Sequence, residues 1–193
     1  MNKLPLKALT PTSWVSNVID DFSLFLYDHA SCERKASALA LSMVMKYSNK
    51  QKIIEPMISL AREELEHFQQ VIRIIHKRGL KLALRDEKDL YVNNMLKKLR
   101  HGQEEHFLDR LILSGLIEAR GHERFALLAK HLEDETLKKF YQQLSEKEAA
   151  HYLIFFKLAS SYFDKKTVEE AIKNISELES EVMLSTPHTF RLH

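Results

Sequence analysis

The chain has 193 residues and a net charge of +2, with four glycines, four prolines and one cysteine. This length suits one domain with a substantial core, and the scarcity of helix breakers favours an all-α fold. The single cysteine, Cys32, excludes an internal disulfide framework, a cysteine-rich zinc module and an iron–sulfur centre held within one chain. Charges interrupt every apolar run and the N-terminus lacks the apolar core of a signal peptide, so the sequence predicts a soluble cytoplasmic protein.

Apolar residues recur at intervals of three and four, which predicts five main helices joined by short turns and one crossover. We expect the main helices over about 13–48, 51–78, 103–131, from Glu133 or Asp134 to Phe163, and 167–184. The first is expected to break near Asp28, and the second to close at Gly79. A polar link over 80–102 is expected to hold a short helical piece around 89–99.

The turns and the link follow the order hairpin, crossover, hairpin, which is the connectivity of ferritin-like four-helix bundles. We therefore predict an all-α, ferritin-like four-helix bundle with its long crossover between helices 2 and 3 and an additional C-terminal helix. The expectation is a single domain over 1–193, with the bundle core over about 13–163 and the extra helix over about 167–184.

Two E-x-x-H motifs occur in the chain, Glu64 with His67 in REELEHFQQ and Glu148 with His151 in SEKEAAHYLIF. Each motif follows a glutamate on the preceding helix: Glu33 lies 31 residues before Glu64, and Glu118 lies 30 residues before Glu148. One such motif alone is weak evidence, because charged helices often carry Glu beside His on a solvated face. The pattern repeated over four helices is more specific.

Residues three apart on a helix project from the same face, so each motif can offer a carboxylate and an imidazole to one metal ion. Four carboxylates and two imidazoles are the ligand set of di-iron and di-manganese carboxylate proteins. Two divalent cations would also balance four negative charges that are costly in a bundle core. The predicted metal ligands are Glu33, Glu64, His67, Glu118, Glu148 and His151.

Small residues accompany the two lone glutamates and are expected to leave room for metals, oxygen and substrate: Ala36, Ser37 and Ala40 beside Glu33, and Ser114, Gly115 and Ala119 beside Glu118. Other histidines, including His29 and His122, are expected to be ordinary polar or capping residues. Cys32 is expected to be a small packed residue.

Positive charge is concentrated between Arg73 and Arg100, a stretch that contains nine Lys or Arg residues and only three acidic residues. Such an excess indicates a polyanionic partner. Basic side chains also favour helix C-termini and solvated links, so the alternative of an ordinary polar surface stays open.

Three stretches together resemble one family: SGLIEARGHERFALLAKHL, LAREELEHFQQV and SEKEAAHY are similar to the tRNA 2-methylthio-N6-isopentenyladenosine hydroxylases, known as MiaE. The likeness covers roughly residues 10–185 and includes Asp109-Arg110-Leu111. The pattern of residues over 117–125 is more specific than the E-x-x-H motifs, which fit several di-iron families. Gly121-His122 stands where the family usually has Ser-Cys, and Ala150 where it usually has arginine, which leaves the substrate contacts open.

The resemblance implies a ferritin-like, non-haem di-iron monooxygenase that hydroxylates the isopentenyl group of 2-methylthio-N6-isopentenyladenosine at tRNA position 37. It implies two iron ions held by the six predicted ligands, O2 as co-substrate, and no tightly bound organic cofactor. The implied partners are the tRNA anticodon loop and an external electron donor of the reductase or ferredoxin type, without a membrane. We further expect a monomer.

If the substrate is a tRNA, the basic region between Arg73 and Arg100 is expected to bind the phosphates of the tRNA backbone. The expected tRNA-binding residues are Lys77, Arg78, Lys81, Arg85, Lys97, Lys98 and Arg100. Asp109, Arg120 and Tyr141 are expected beside the metal ligands. Two alternative functions stay open: another ferritin-like di-iron oxidase or hydroxylase acting on a small molecule, and an iron-storage or peroxide-scavenging protein.

Overall fold

The computed structural model describes residues 4–82, 89–187 and 189–192, and within these ranges it contains seven α-helices and no strand. The helices are α1 (Thr12–Asp20), α2 (Phe22–Lys46), α3 (Ile54–Lys77), α4 (Leu90–Leu96), α5 (Gln103–His131), α6 (Glu135–Tyr162) and α7 (Lys165–Ser185). A short 3-10 turn, Gln51–Ile53, leads into α3. The all-α prediction is confirmed. Across the described ranges, no helix has the length and apolarity that a membrane span requires.

Local sequence signals set several helix ends. Asp134 caps α6 by accepting hydrogen bonds from the backbone N–H groups of Thr136 and Leu137, and Asp164 caps α7 in the same way through Thr167. Gly79 follows α3 with a φ of 71°, a left-handed conformation that glycine adopts without steric cost. The predicted ends of the main helices therefore lie close to the observed ones.

The break in the first predicted helix lies at Asp21 and not near Asp28. Asp21 has φ −120° and ψ 45°, which separates α1 from α2. Asp28 lies inside α2, where its carboxylate accepts a hydrogen bond of 2.8 Å from the backbone N–H of Leu192. The prediction was wrong because the carboxylate of Asp28 accepts its hydrogen bond from a residue near the far end of the chain. Asp28 can therefore remain inside α2 without interrupting the helix.

The described residues group into two compact units. Residues 16–82 and 189–192 belong to the first unit, and residues 4–15 and 89–187 belong to the second. The single domain over 1–193 stays a prediction.

The first unit is built on the antiparallel pairing of α2 with α3. Both helices bury apolar residues at helical spacing: Phe25, Leu26, Ala30, Ala40 and Met43 on α2, and Met57, Leu60, Ala61, Val71 and Ile75 on α3. Ser37 joins the pair by donating a hydrogen bond of 2.7 Å from Oγ to the carbonyl oxygen of Ala61. This small residue thus connects the helices instead of leaving open space.

The second unit is built on the pairing of α5 with α6, against which α7 also packs. A Cβ atom added at Gly115 would lie 2.6 Å from Cε1 of Phe156, so glycine allows this aromatic ring to pack directly against the α5 backbone. The expectation of open space beside Gly115 was therefore wrong, since the room is filled by a side chain from α6.

A buried ion pair joins α5 to α7 within the second unit. Arg120 and Glu179 are both fully buried, and Nη2 of Arg120 donates to Oε1 of Glu179 at 2.8 Å. The hydroxyl of Tyr91 on α4 donates to the same oxygen at 2.8 Å. Arg120 was expected beside the metal ligands, but its guanidinium is engaged with Glu179, Glu123 and the carbonyl oxygen of Ala8.

The same network fixes the segment before α1. Glu123 accepts hydrogen bonds from the backbone N–H and the hydroxyl of Thr10, at 2.7 and 2.6 Å. Arg124 donates to this hydroxyl at 3.2 Å and lies 5.2 Å from the centre of the Trp14 ring. Burial and the nearby charge of Arg120 lower the pKa of Arg124 to about 10.

We expect Glu179→Ala to destabilise the protein by about 3–5 kcal/mol, because it leaves the charge of Arg120 buried without its main partner. The matched control is Glu170→Ala on the same helix, since Glu170 is exposed and pairs only loosely with Lys166 at 4.0 Å. That change should cost less than about 1 kcal/mol. Urea unfolding followed by circular dichroism measures both, and equal losses would contradict a stabilising role for the buried pair.

Candidate metal centre

Three predicted ligands meet in the first unit: Glu33 on α2 with Glu64 and His67 on α3. None of the three is more than 5% exposed. Nδ1 of His67 lies 3.5 Å from Oε2 of Glu33 and 3.5 Å from Oε2 of Glu64, and one ligand atom from each residue lies within 4.8 Å of the other two. The pairing of α2 with α3 therefore forms a buried triad of two carboxylates and one imidazole.

Hydrogen bonds decide the charge state of this first triad. Burial raises the pKa of Glu33, but hydrogen bonds from His29 and His67 outweigh burial and hold that pKa far below its usual range. Burial lowers the pKa of His67, yet hydrogen bonds to Glu33 and Glu64 raise it to about 9. In the metal-free chain His67 is thus protonated near neutral pH and supplies a positive charge to the carboxylates.

The second unit repeats the arrangement with Glu118 on α5 and with Glu148 and His151 on α6. Glu148 and His151 are buried and Glu118 is half-buried. Nδ1 of His151 lies 3.2 Å from Oε2 of Glu148, and ligand atoms of all three residues lie within 4.8 Å of one another. Each unit therefore contains one glutamate and one E-x-x-H pair on adjacent helices.

The donor chemistry of both triads fits a transition-metal ion. Carboxylate oxygens and imidazole nitrogens are the ligands that iron and manganese accept in helical bundles. A divalent cation would also compensate carboxylates that are costly to bury. The described residues thus contain buried Glu/His clusters compatible with metal binding.

His29 is a neighbour of this site that the sequence prediction missed. Nε2 of His29 lies 2.7 Å from Oε1 of Glu33, and the imidazole is fully buried. It was expected to be an ordinary polar or capping residue. The signal that could have found it is the spacing of four residues, which places His29 and Glu33 on the same face of α2.

Of the residues that depart from the pattern of the resembled family, Gly121 lies beside Glu148 and His122 contacts α6 one turn before it. Nδ1 of His122 is 2.7 Å from the carbonyl oxygen of Ser145, which ties α5 to α6 one turn before Glu148. A Cβ atom added at Gly121 would lie 3.8 Å from Cγ of Glu148, an ordinary van der Waals contact. Ala150, by contrast, is exposed.

Two other residues expected beside the ligands have different surroundings. Asp109 accepts hydrogen bonds from both the backbone and the side chain of Arg100, among them backbone N–H to Oδ2 at 3.0 Å and Nη2 to Oδ1 at 2.6 Å. Tyr141 is buried with its ring 5.5 Å from that of Phe125. Asp109 thus fixes the start of α5, and Tyr141 packs in the core of its unit.

The basic residues expected to bind tRNA occur in both units. Lys77, Arg78 and Lys81 are exposed at and just after the end of α3, and Lys97, Lys98 and Arg100 are exposed after α4. Arg78 lies 5.2 Å from the centre of the Phe22 ring, and Arg100 is paired with Asp109. Arg85 lies outside the described residues. The role of this set in tRNA binding stays a prediction.

The whole chain matches a known family. Residues 2–193 fit the family model described as tRNA-(MS2IO6A)-hydroxylase (MiaE). A tRNA 2-(methylsulfanyl)-N(6)-isopentenyladenosine(37) hydroxylase of Pseudomonas putida is 36% identical over 184 residues, which cover 95% of this chain and 89% of the relative. The Salmonella typhimurium protein of the same name is 29% identical, with 95% and 85% covered.

A solved structure shares the fold. It is protein 43 with aldehyde deformylating oxygenase activity, from Synechococcus, and it is 34% identical with a TM-score of 0.92 over 100% of this chain and 96% of that chain. The predicted ferritin-like fold is confirmed by this neighbour, and the predicted class of enzyme by the family model. The chain belongs to the MiaE family of tRNA hydroxylases.

Proposed function

We propose that this chain is a di-iron monooxygenase that hydroxylates the isopentenyl group of 2-methylthio-N6-isopentenyladenosine at position 37 of tRNA. The observation that carries the proposal is the repeated Glu/His triad, one glutamate plus one E-x-x-H pair in each unit, in a chain of this family. The six ligands proposed are Glu33, Glu64, His67, Glu118, Glu148 and His151.

Two iron ions, when bound, would supply the activation of O2. One oxygen atom would enter a C–H bond of the isopentenyl group and the other would leave as water, which consumes two electrons and two protons. The chain's own part is to hold the metals with hard donors and to keep the site dry. Burial of Glu33, Glu64, Glu148 and His151 supports that role.

The electrons would come from outside the chain. With one cysteine in the sequence, the chain by itself offers no cysteine cluster for an electron-transfer centre. We therefore propose an external donor of the reductase or ferredoxin type, a monomeric enzyme, and a cytoplasmic site of action where tRNA is available.

The tRNA substrate would be held through its phosphates. A base that reacts at a buried site must leave its stack, and the backbone around it must be fixed while it does so. Exposed lysines suit this task because they offer mobile positive charges without reading base sequence. Lys77 and Lys81 near the end of α3 and Lys97 and Lys98 after α4 are the strongest candidates.

A second function is favoured by one observation, the aldehyde deformylating oxygenase activity for which the Synechococcus relative is named. An oxygenase acting on an aldehyde would use the same kind of metal site, and the match to that relative covers 100% of this chain. The basic side chains would then have no phosphate to bind, which separates the two functions experimentally.

We expect the iron-loaded protein, given reductant, O2 and tRNA from cells lacking the hydroxylase, to add one oxygen atom to the isopentenyladenosine. Nucleoside mass spectrometry measures the product. Glu148→Ala should abolish it and lower the iron content, because the second triad loses a buried carboxylate. Glu146→Ala, an exposed glutamate on the same helix, is the matched control and should leave both unchanged. Unmodified tRNA together with conversion of an aldehyde would favour the second function instead.

We also expect the double variant Lys77→Ala, Lys81→Ala to weaken tRNA binding and to reduce its dependence on salt, because each lost phosphate contact lowers the slope of log K against log salt by about one. Lys97→Ala with Lys98→Ala should act in the same direction. The control removes two lysines from α7, Lys165 and Lys166, which are exposed beside Glu169 and Glu170. Filter binding at several salt concentrations measures the slopes, and equal slopes in all variants would contradict a phosphate-binding role.

A further inference from the structure

One buried histidine beside the metal ligands has no place in the E-x-x-H pattern. His29 lies on α2 one turn before Glu33, with Nε2 2.7 Å from Oε1 of the glutamate and no solvent exposure. Its ring also packs against Phe25, with the ring centres 5.7 Å apart. The imidazole is therefore held from both sides, by a ring and by a carboxylate.

The direction of this hydrogen bond follows from the chemistry of Glu33. A carboxylate that binds a metal is ionised and can only accept hydrogen bonds. Nε2 of His29 must then carry the hydrogen and donate it to Oε1. The second oxygen, Oε2, is the one on the side of His67, 3.5 Å from Nδ1. The two oxygens of Glu33 thus have separate partners.

The other triad lacks this feature in the sequence. Four residues before Glu118 stands Ser114, whose hydroxyl extends far less than an imidazole. The two halves repeat the ligands but not the residue one turn before the lone glutamate.

We propose that His29 is a positioning residue that fixes Glu33 in one orientation, engaging Oε1 and leaving Oε2 for the metal. The proposal rests on the proposed di-iron function. Hydrogen bonds to ligating carboxylates orient them and strengthen metal binding, and their loss typically weakens affinity by about 10- to 100-fold. His29 thereby strengthens metal binding at the position that Glu33 serves.

The test uses Co(II) as a visible probe in place of iron, titrated into metal-free protein without O2. His29→Phe keeps an aromatic ring, slightly larger than imidazole, and removes the donor, whereas His29→Gln places an amide N–H near the position of Nε2. We expect wild type to bind two equivalents. His29→Phe should weaken one of them by about tenfold or more, His29→Gln should restore it to within about threefold, and Ser114→Ala should leave both unchanged.

A merely structural histidine would give a different result. In that case His29→Phe would change the thermal unfolding of the metal-free protein but neither Co(II) affinity nor the Co(II) absorption spectrum. Should His29→Phe fail to fold, His29→Asn serves in its place, because its amide is one carbon too short and should weaken binding where Gln does not.

The outcomes separate the two proposals. If wild type binds two Co(II) ions and His29→Phe, or His29→Asn, binds them with unchanged affinities, the role of His29 is overturned. The proposed function is then left standing. Absence of Co(II) binding by wild type would overturn the metal function itself, and the role of His29 with it.

Discussion

The rest of the site depends on the burial of carboxylates on long helices. An ionised carboxylate removed from water is costly unless a cation or several hydrogen-bond donors compensate it. In the first triad His67 provides this compensation, since its pKa of about 9 keeps it protonated at neutral pH. A metal ion would take the place of that proton, because a ligating imidazole must be neutral. Glu64 and His67 can therefore form an ion pair when no metal is bound and can offer two ligands when a metal ion is bound.

The second buried network shows that burial of charge alone does not identify a metal site. Arg120 and Glu179 are as buried as the triads, but here the positive charge is a guanidinium, which stays protonated at any physiological pH. A cation of this kind cannot be exchanged for a metal ion. What distinguishes the two networks is the counter-charge: a titratable imidazole in the triad, and a permanent charge in the pair that joins α5 to α7.

The sequence predicts what is decided within one or two turns of a helix. Asp134, Asp164 and Gly79 mark helix ends through their own backbone contacts, and the E-x-x-H spacing places each ligand pair on one face. The sequence does not predict features that depend on a partner distant along the chain. Asp28 continues a helix because of Leu192, and Gly115 packs against Phe156. His29 is the exception, since its spacing from Glu33 is visible in the sequence, but only the structure shows that the two side chains are buried together and hydrogen-bonded.

The ligand pattern cannot by itself decide the substrate. The Synechococcus relative shares the fold over 96% of its length and is named for an aldehyde deformylating oxygenase activity, whereas the curated relatives are named as tRNA hydroxylases. A metal centre that activates O2 could serve either reaction, so selectivity would come from residues outside the six proposed ligands. Exposed basic side chains would bind the phosphates of a polyanion such as tRNA, whereas an aldehyde carries no charge for them to bind. Among them, Arg100 is bound by Asp109 and Arg78 lies over Phe22. The exposed lysines at the ends of α3 and α4 therefore bear most directly on the choice between the two substrates.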